Sequence, residues 1–486
     1  MNLFPAISLT RRKFLAGSAG LVAGVPNRNE SSVFKERSTI AQPIRINVDT
    51  EHTVGAIPPD FVGLGFEISS VARSGLLSAN NRVYVQLLRT LGAQGVIRIG
   101  GNTSDYSLFA ADRESVSAPK STVVNEANLK ELGTFLDATG WKLIWGLNLG
   151  SGTEQQAVSE AQAVAAATGE KLLAFEIGNE PDLFGRRAAH RATGYSYADY
   201  LEEYRRYKAA IRAKLPNAPF AGPDAASATD WVVRFAADEG KDLKLLTHHY
   251  YRECANPTST LDKLLHPDPK LAPTLEKLSA ASESSHVPWR MCETNSFCGG
   301  GKPGVSDTFG SALWVLDYMF TLTWANAAGV NIETGVNQLG FISSYSPIGD
   351  DEHGTYSASP DYYGMLAFSR ARHGRRVALN YDAGEVNLNA YAVLREDKRL
   401  VVTIINKDMS RDADVRIVAE RHLSDASALR LVAPSIESKA QVTLGGSAVA
   451  SDGAWKAVRP EPLRTKHEEC EIRIPAASAA IVDLRP

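Results

Sequence analysis

Between residues 58 and 374, short apolar runs alternate with segments of helical spacing, and no other feature constrains the fold as tightly. The runs are Phe61–Ile68, Gly95–Ile99, Trp141–Leu149, Leu172–Phe175, Ala218–Gly222, Leu243–Tyr251, Val287–Cys292 and Val330–Ile332. Helical spacing separates them over Asn81–Leu91, Asn125–Thr139, Thr153–Thr168, a stretch running to Leu215 from the capping pair Ser196 and Asp199, Trp231–Asp238, and Asp307–Ala328. A last helix is expected over Asp361–Arg372. Eight strands each followed by a helix predict a closed (β/α)8 barrel. No Gly-x-Gly-x-x-Gly turn opens the first helix, which weighs against a doubly wound open sheet.

Beyond residue 375 the pattern changes to short alternating strands: Leu400–Ile405, Val415–Ile417, Leu429–Leu431, Cys470–Ile474 and Ala480–Leu484. This spacing predicts a β-sandwich, which the strand around Ile44–Val48 can join. The expected organisation is a leader and linker over 1–42, an amino-terminal strand over 43–57, the barrel over 58–374 and the β domain over 375–486. The leader pairs Arg11-Arg12 with a short apolar run, Ala16–Val25, and resembles a twin-arginine export signal, so an exported, periplasmic or secreted protein is expected. A net charge of -3 argues against nucleic acid or a membrane surface as partner of the mature chain. Cys254, Cys292, Cys298 and Cys470 match no zinc or Cys-x-x-Cys spacing; export permits a disulfide without selecting partners, and isolated thiols are expected.

Function in such barrels sits on loops at the carboxyl ends of the strands. Those ends carry Glu67, Asn102, Asp105, Asn179, Glu180, Tyr250, Glu293, Asn295 and Gln338. Phe175–Asp182 reads as a buried strand ending in a Gly-Asn-Glu-Pro turn, where Pro181 is expected to hold Glu180 extended. His248 and His249 are adjacent on a strand and face opposite sides, one toward the helices and one into the site wall, which is poor geometry for chelation; no metal and no cofactor is expected. Glu180 and Glu293, at the ends of strands four and seven, face each other across the barrel mouth. Glycosidic cleavage needs such a pair, one carboxyl to protonate the leaving oxygen and one to attack the anomeric carbon.

This Asn-Glu at strand four with a Glu at strand seven resembles the clan A retaining glycosidases. Further motifs resemble glycoside hydrolase family 79, which holds β-glucuronidases and heparanases: Ile97-Arg98-Ile99-Gly100-Gly101, His248-His249-Tyr250-Tyr251, Glu293-Thr294-Asn295-Ser296 with Gly299-Gly300-Gly301, Ser306-Asp307-Thr308-Phe309, and Ser346–Gly354, which fits a loop of the family's bacterial β-glucuronidases. The resemblance implies Glu180 as acid/base, Glu293 as nucleophile, Asn179 on the sugar 2-hydroxyl, and Tyr250 aligning Glu293. It further implies Glu67 and Asn102 on the remaining hydroxyls, and Gln338, Tyr345 and the amides near Gly299 and Gly300 on a glucuronate carboxylate, with Tyr356 an alternative to Tyr345. Cys298 stands where the family commonly has a tyrosine facing that carboxylate, and a thiol is a weak donor. The implied activity is exo-acting retaining β-glucuronidase on a carbohydrate partner, with Glu180 protonated beside the Glu293 charge and hence a bell-shaped profile with an acidic optimum. A heparanase-like endo enzyme, which would want Arg186, Arg187, Arg191 and Arg252 for sulfates, another clan A β-glycosidase and an inactive carbohydrate-binding barrel are the alternatives.

Overall fold

The computed structural model describes residues 42–110, 122–186, 190–335, 343–351, 353–458 and 460–486. Its centre is a closed barrel of eight parallel strands. In chain order they are Val62–Glu67, Val96–Gly100, Lys142–Leu147, Leu172–Ile177, Phe220–Ala225, Leu243–Tyr251, Trp289–Asn295 and Gly329–Glu333. The eighth strand closes on the first, with Glu333 in register with Gly65. Burial on both faces explains why these strands read as unbroken apolar runs, and why a charged residue inside one, such as Arg98, is exceptional.

The carboxyl-terminal strands form one sheet of eleven strands. It curls over a core of its own, which includes Ile46, Val402, Ile417, Ile472 and Val482. The amino-terminal strand Ile44–Ala56 runs antiparallel to Arg375–Asn380 and parallel to Ala413–Val418. The first described strand thus belongs to the last domain.

The opposite face of the sheet packs on the barrel, with Tyr391, Val393, Val401 and Ile405 entering the barrel's own apolar cluster. Helix Phe309–Trp324 lies between the two and is buried around nearly its whole circumference, as its uniformly apolar sequence demands. Phe320 stacks on Tyr391 at 4.7 Å, and the Phe309 and Gly310 amides donate to Ser438 and Ile436 at 2.8 Å each. A cleft of about 660 Å³ opens at this junction beside Trp324 and Tyr381. Three of its lining side chains, Asn389, Tyr391 and Lys407, donate to Asp317.

Glu160 is a buried acid outside the barrel mouth, on helix Glu154–Thr168, where it accepts from Trp145 Nε1 at 2.9 Å. Burial pushes its carboxyl up to about 7, against the opposing effect of that hydrogen bond. Because the folded value exceeds the unfolded one, the stabilisation by the bound proton is complete below the unfolded value and is lost as pH rises through the folded value. The thermal midpoint is therefore expected to fall between about pH 5 and about pH 8, and Glu160→Gln to remove up to about 3 kcal/mol of that loss. Parallel wild-type and variant melting curves across that range would contradict this.

Candidate active site

Arg98 lies fully buried beneath the barrel mouth, at the centre of the second strand. Its Nε donates to Glu176 at 3.1 Å, Nη1 to Glu293 Oε2 at 2.8 Å, and Nη2 to Asn179 Oδ1 at 2.8 Å and to Asp224. The guanidinium fork thus ties strand two to strands four, five and seven. A β-carbon on Gly100 would sit 2.3 Å from Arg98 Cζ, and one on Gly101 2.3 Å from the Glu67 carboxyl carbon. The two glycines after Arg98-Ile99 are therefore the space that the guanidinium and the Glu67 carboxyl occupy. Gly101 also has φ +71, which suits glycine.

The Glu180 and Glu293 carboxylates come within 4.8 Å of one another, with His249 in the same group. Glu180 is not extended: it sits at φ 53, ψ 50, in the left-handed region, and caps the short turn Pro181–Leu183. Proline disfavours only the right-handed helical region before it, so the left-handed alternative stays open. Its amide donates to the Asp224 carbonyl at 3.0 Å, which helps hold a conformation that costs about 1–3 kcal/mol.

The sixth strand alternates strictly. His248 turns outward toward Thr229 Oγ1 at 3.5 Å, and burial pushes it down to about 3. His249 turns inward, with Nε2 2.7 Å from Asp224 Oδ1 and Nδ1 3.3 Å from Glu180 Oε1. Burial alone would lower it, but the charges of Asp224 and Glu293 outweigh burial and raise it well above the usual imidazole value. An imidazolium facing carboxylates through both nitrogens is a donor pair and offers no lone pair to a cation.

The same alternation corrects one expected contact. Tyr250 faces outward, donates to Asp268 at 2.8 Å and stacks on Tyr318. Tyr251 is the residue that holds Glu293, donating to Oε1 at 3.1 Å. With His249 inward, its neighbour two residues on had to be inward as well.

The remaining expected residues fall as follows. Asn179 is buried, its amide donates to Asp105 at 3.2 Å, and its Nδ2 has no hydrogen-bond partner among the described residues. Glu67 accepts from the Asn102 and Thr103 amides and the Thr103 hydroxyl, at 3.1, 2.6 and 2.6 Å. Burial, then the Glu293 charge, pushes Glu67 up to about 7 against those bonds. Asn102 is exposed at the start of that turn. Tyr345 stacks on Tyr251 at 6.3 Å, and its carbonyl accepts from Asn295 at 3.1 Å. Gly300 accepts the Ser344 amide at 2.8 Å, which joins the Gly299–Gly301 turn to the Tyr345 loop. Tyr356 packs edge-on against Tyr84, away from this cluster. Gln338 lies outside the described residues.

Cys298 is not a free thiol: it forms a disulfide with Cys254, while Cys292 and Cys470 are free and buried. Strands six and seven are neighbours, and each cysteine lies three residues past its strand's last residue, Tyr251 or Asn295. The pairing of the strands continues into the loops, with Cys298 N donating to Glu253 at 2.9 Å and Ala255 N to Cys298 at 3.1 Å. The equal offset past adjacent strand ends was the available sequence signal. The expectation that one of His248 and His249 enters the site wall is met by His249, whereas sequence reasoning missed Arg98, Asp224 and Glu333 as members of the site. An arginine flanked by isoleucines within a buried strand, and a glutamate ending the eighth apolar run, were the signals that could have found two of them.

Residues 70–320 match the description "Glycosyl hydrolase family 79, N-terminal domain", and residues 390–481 match "Glycosyl hydrolase family 79 C-terminal beta domain". The chain belongs to glycoside hydrolase family 79. It is similar to a β-glucuronidase of Aspergillus niger, 26% identical over 460 residues that cover 86% of this chain and 82% of that one. A heparanase of Bos taurus is 27% identical over 263 residues, covering 51% of this chain and 45% of its own. Among solved structures, a 4-O-α-L-rhamnosyl-β-D-glucuronidase from Fusarium oxysporum superposes with a TM-score of 0.74 at 20% identity, covering 90% of this chain and 99% of the other, and so shares the fold. The family 79 enzyme is a glycosidase, and the paired carboxylates at its barrel mouth fit that chemistry.

Two expectations follow from the geometry. Arg98→Met leaves Glu176, Asp224 and Glu293 without their shared cation and should lower the unfolding free energy by about 3–5 kcal/mol in urea titrations; a fully stable, active variant would refute the central role of the guanidinium. The Cys254–Cys298 bond closes a sequence separation of 44 residues. Its loss in a Cys254→Ser/Cys298→Ser double variant should cost about 2–4 kcal/mol and raise KM more than it lowers kcat. An unchanged thermal midpoint would show that the loop pairing suffices alone.

Proposed function

We propose that this family 79 enzyme is an exo-acting, retaining β-glucuronidase that works by double displacement. The observation that carries this reading is the approach of the Glu180 and Glu293 carboxylates to within 4.8 Å. Retaining enzymes hold the pair about 5–5.5 Å apart, whereas inverting ones need about 6.5–9.5 Å to admit a water. In the first step Glu293 attacks the anomeric carbon as Glu180 gives its proton to the glycosidic oxygen. In the second, Glu180 takes a proton from the water that displaces Glu293.

The supporting groups have defined tasks. Arg98 and Tyr251 each take one oxygen of Glu293, which fixes the plane of the carboxylate. The His249 imidazolium, 3.3 Å from Glu180, stabilises the negative charge that Glu180 acquires once its proton has left. The Nδ2 of Asn179, without a partner among the described residues, would meet the sugar 2-hydroxyl, a contact that strengthens as positive charge develops at the anomeric carbon.

Exo action and a uronate preference draw support from the far side of the mouth. Ile348–Asp350 pairs with Tyr356–Ala358 as a hairpin, and Asp350 is ion-paired with Arg73 beyond the first strand, which ties the loop after strand eight to the segment after strand one. Tyr345 and the Gly299–Gly300 turn stand together there. Of the basic side chains that a sulfated polymer would want, Arg191 is engaged with Glu203 and Arg252 with the carbonyls of His266 and Pro267, while Arg186 is exposed. Arg187 lies outside the described residues. The paired arginines of the leader support export, and among the described residues no helix is long and apolar enough to cross a membrane.

Initial rates on p-nitrophenyl β-glucuronide, beside the β-glucoside, β-xyloside and β-galactoside, test the assignment. The glucuronide should be strongly preferred, proton NMR should show the β-anomer of glucuronic acid appearing first, and Glu180→Gln should lose about 100- to 10,000-fold in kcat/KM on unactivated glucuronides. Equal rates on the neutral sugars would sink the glucuronidase reading, and first appearance of the α-anomer would sink the retaining one.

A further inference from the structure

Glu333 ends the eighth barrel strand and has no role in the double displacement. It is 1% exposed, and among the described residues no side chain donates to either carboxyl oxygen, the nearest donor being the backbone amide of Gly335. Its carboxyl lies across the neighbouring strand at Gly65, where an added β-carbon would sit 2.3 Å from Oε2. The backbone around it is fixed: the Thr334 amide and hydroxyl donate to the Gly65 carbonyl at 2.9 and 2.7 Å. Asn295 Nδ2 ties the Glu333 and Tyr345 carbonyls together at 2.9 and 3.1 Å. Two residues on, a β-carbon at Gly335 would stand 3.0 Å from the Tyr345 ring, so the strand leaves the barrel directly beneath that ring.

The charges around Glu333 come from each element packed against it. Glu67 faces it from the first strand and Glu293 from the seventh, with the phenols of Tyr251 and Tyr345 alongside. The cation facing it is Arg98, whose nitrogens already serve Glu176, Glu293, Asn179 and Asp224. A buried carboxylate with only a backbone amide near it and two other carboxyl groups alongside is unfavourable, whereas a buried carboxylic acid is an O–H donor that still lacks an acceptor. Burial and the Glu293 and Glu67 charges raise this group well above the ordinary carboxylate range.

We propose that Glu333 is a specificity-determining residue of the sugar-carboxylate subsite: as a neutral acid beneath Tyr345 it donates to an incoming uronate, and as a carboxylate it repels one. The proposal rests on the glucuronidase reading above and adds a pH-gated preference for an anionic sugar over its uncharged isostere. Recognition of the uronate then requires a proton on Glu333, and this proton is separate from the one Glu180 transfers.

Calorimetric dissociation constants for D-glucuronate and its uncharged amide, D-glucuronamide, measured from about pH 5 to about pH 9, decide it. In the wild-type enzyme the glucuronate-to-amide ratio of dissociation constants should rise about tenfold or more over that range, because only the anion meets the newly formed charge. In Glu333→Gln, which keeps a donor and cannot ionise, the ratio should stay flat. Should that variant not fold, Glu333→Ala makes the same comparison, and the wild-type ratio stands on its own. A flat wild-type ratio overturns the proposal while leaving the glucuronidase reading intact. A rise that persists in Glu333→Gln also overturns it and transfers the effect to Glu67. Binding of neither ligand removes the glucuronidase reading and the proposal together.

Discussion

The site depends on one buried guanidinium. Arg98 reaches Glu176, Asn179, Asp224 and Glu293 from the second strand, and so fixes the relative positions of strands four, five and seven at the level where chemistry takes place. Burying a charge costs several kcal/mol unless it is fully hydrogen-bonded, and a guanidinium with its fork of donors can meet that condition where an ammonium cannot. The condition also dictates sequence around it, since Gly100 must lack a side chain for the guanidinium to lie where it does. Carboxylates that would repel one another across a barrel mouth are therefore held close because they share a cation.

Counting protons in this cluster accounts for its asymmetry. Arg98 and the His249 imidazolium supply two positive charges. Asp224 offsets one of them: burial would raise it, but Arg98 and His249 outweigh burial and bring it down to about 2. Glu293, bonded to both Arg98 and Tyr251, offsets the other. Further acids then have no cation left, and burial raises Glu67, Asp105, Glu176 and Glu333 accordingly. The same low-dielectric mouth thus keeps Asp224 ionised between the two cations while Glu67, Asp105, Glu176 and Glu333 favour their protons.

Much of this was legible in the sequence, and the misses have physical causes. The eight apolar runs give the barrel strands, because strands buried on both faces leave a continuous hydrophobic record. Glu180 and Glu293 stand at the strand ends that the pattern implies. Tyr250 was expected where Tyr251 stands because register within a strand is a two-state choice, and a slip of one residue sends a side chain to the opposite face. The β domain reads as a sandwich from its alternation, but alternation reports that one face is buried and not whether the two layers belong to one curled sheet. The Cys254–Cys298 bond was not found by local cysteine spacing because its signal, an equal offset past two neighbouring strand ends, appears only once the strand order of the barrel is used. The left-handed Glu180 was equally hidden, since a residue before proline has more than one way to avoid the right-handed helix.

The loops on one arc of the mouth are joined edge to edge. A disulfide and backbone pairing tie the loop after strand six to the loop after strand seven. The latter is tied to the loop after strand eight by the Ser344–Gly300 and Asn295–Tyr345 bonds. That loop in turn reaches the segment after strand one through Asp350 and Arg73. Loops normally sample many conformations, and each ordered loop residue costs conformational entropy that a ligand would otherwise have to supply on binding. By chaining four loops into one wall, the fold meets that cost during folding. A rigid wall discriminates between ligands of similar size through fixed donors and fixed charges, because it cannot relax around the wrong one. On the proposal made above, the protonation state of Glu333 is felt as specificity because these ties hold the wall above it in place.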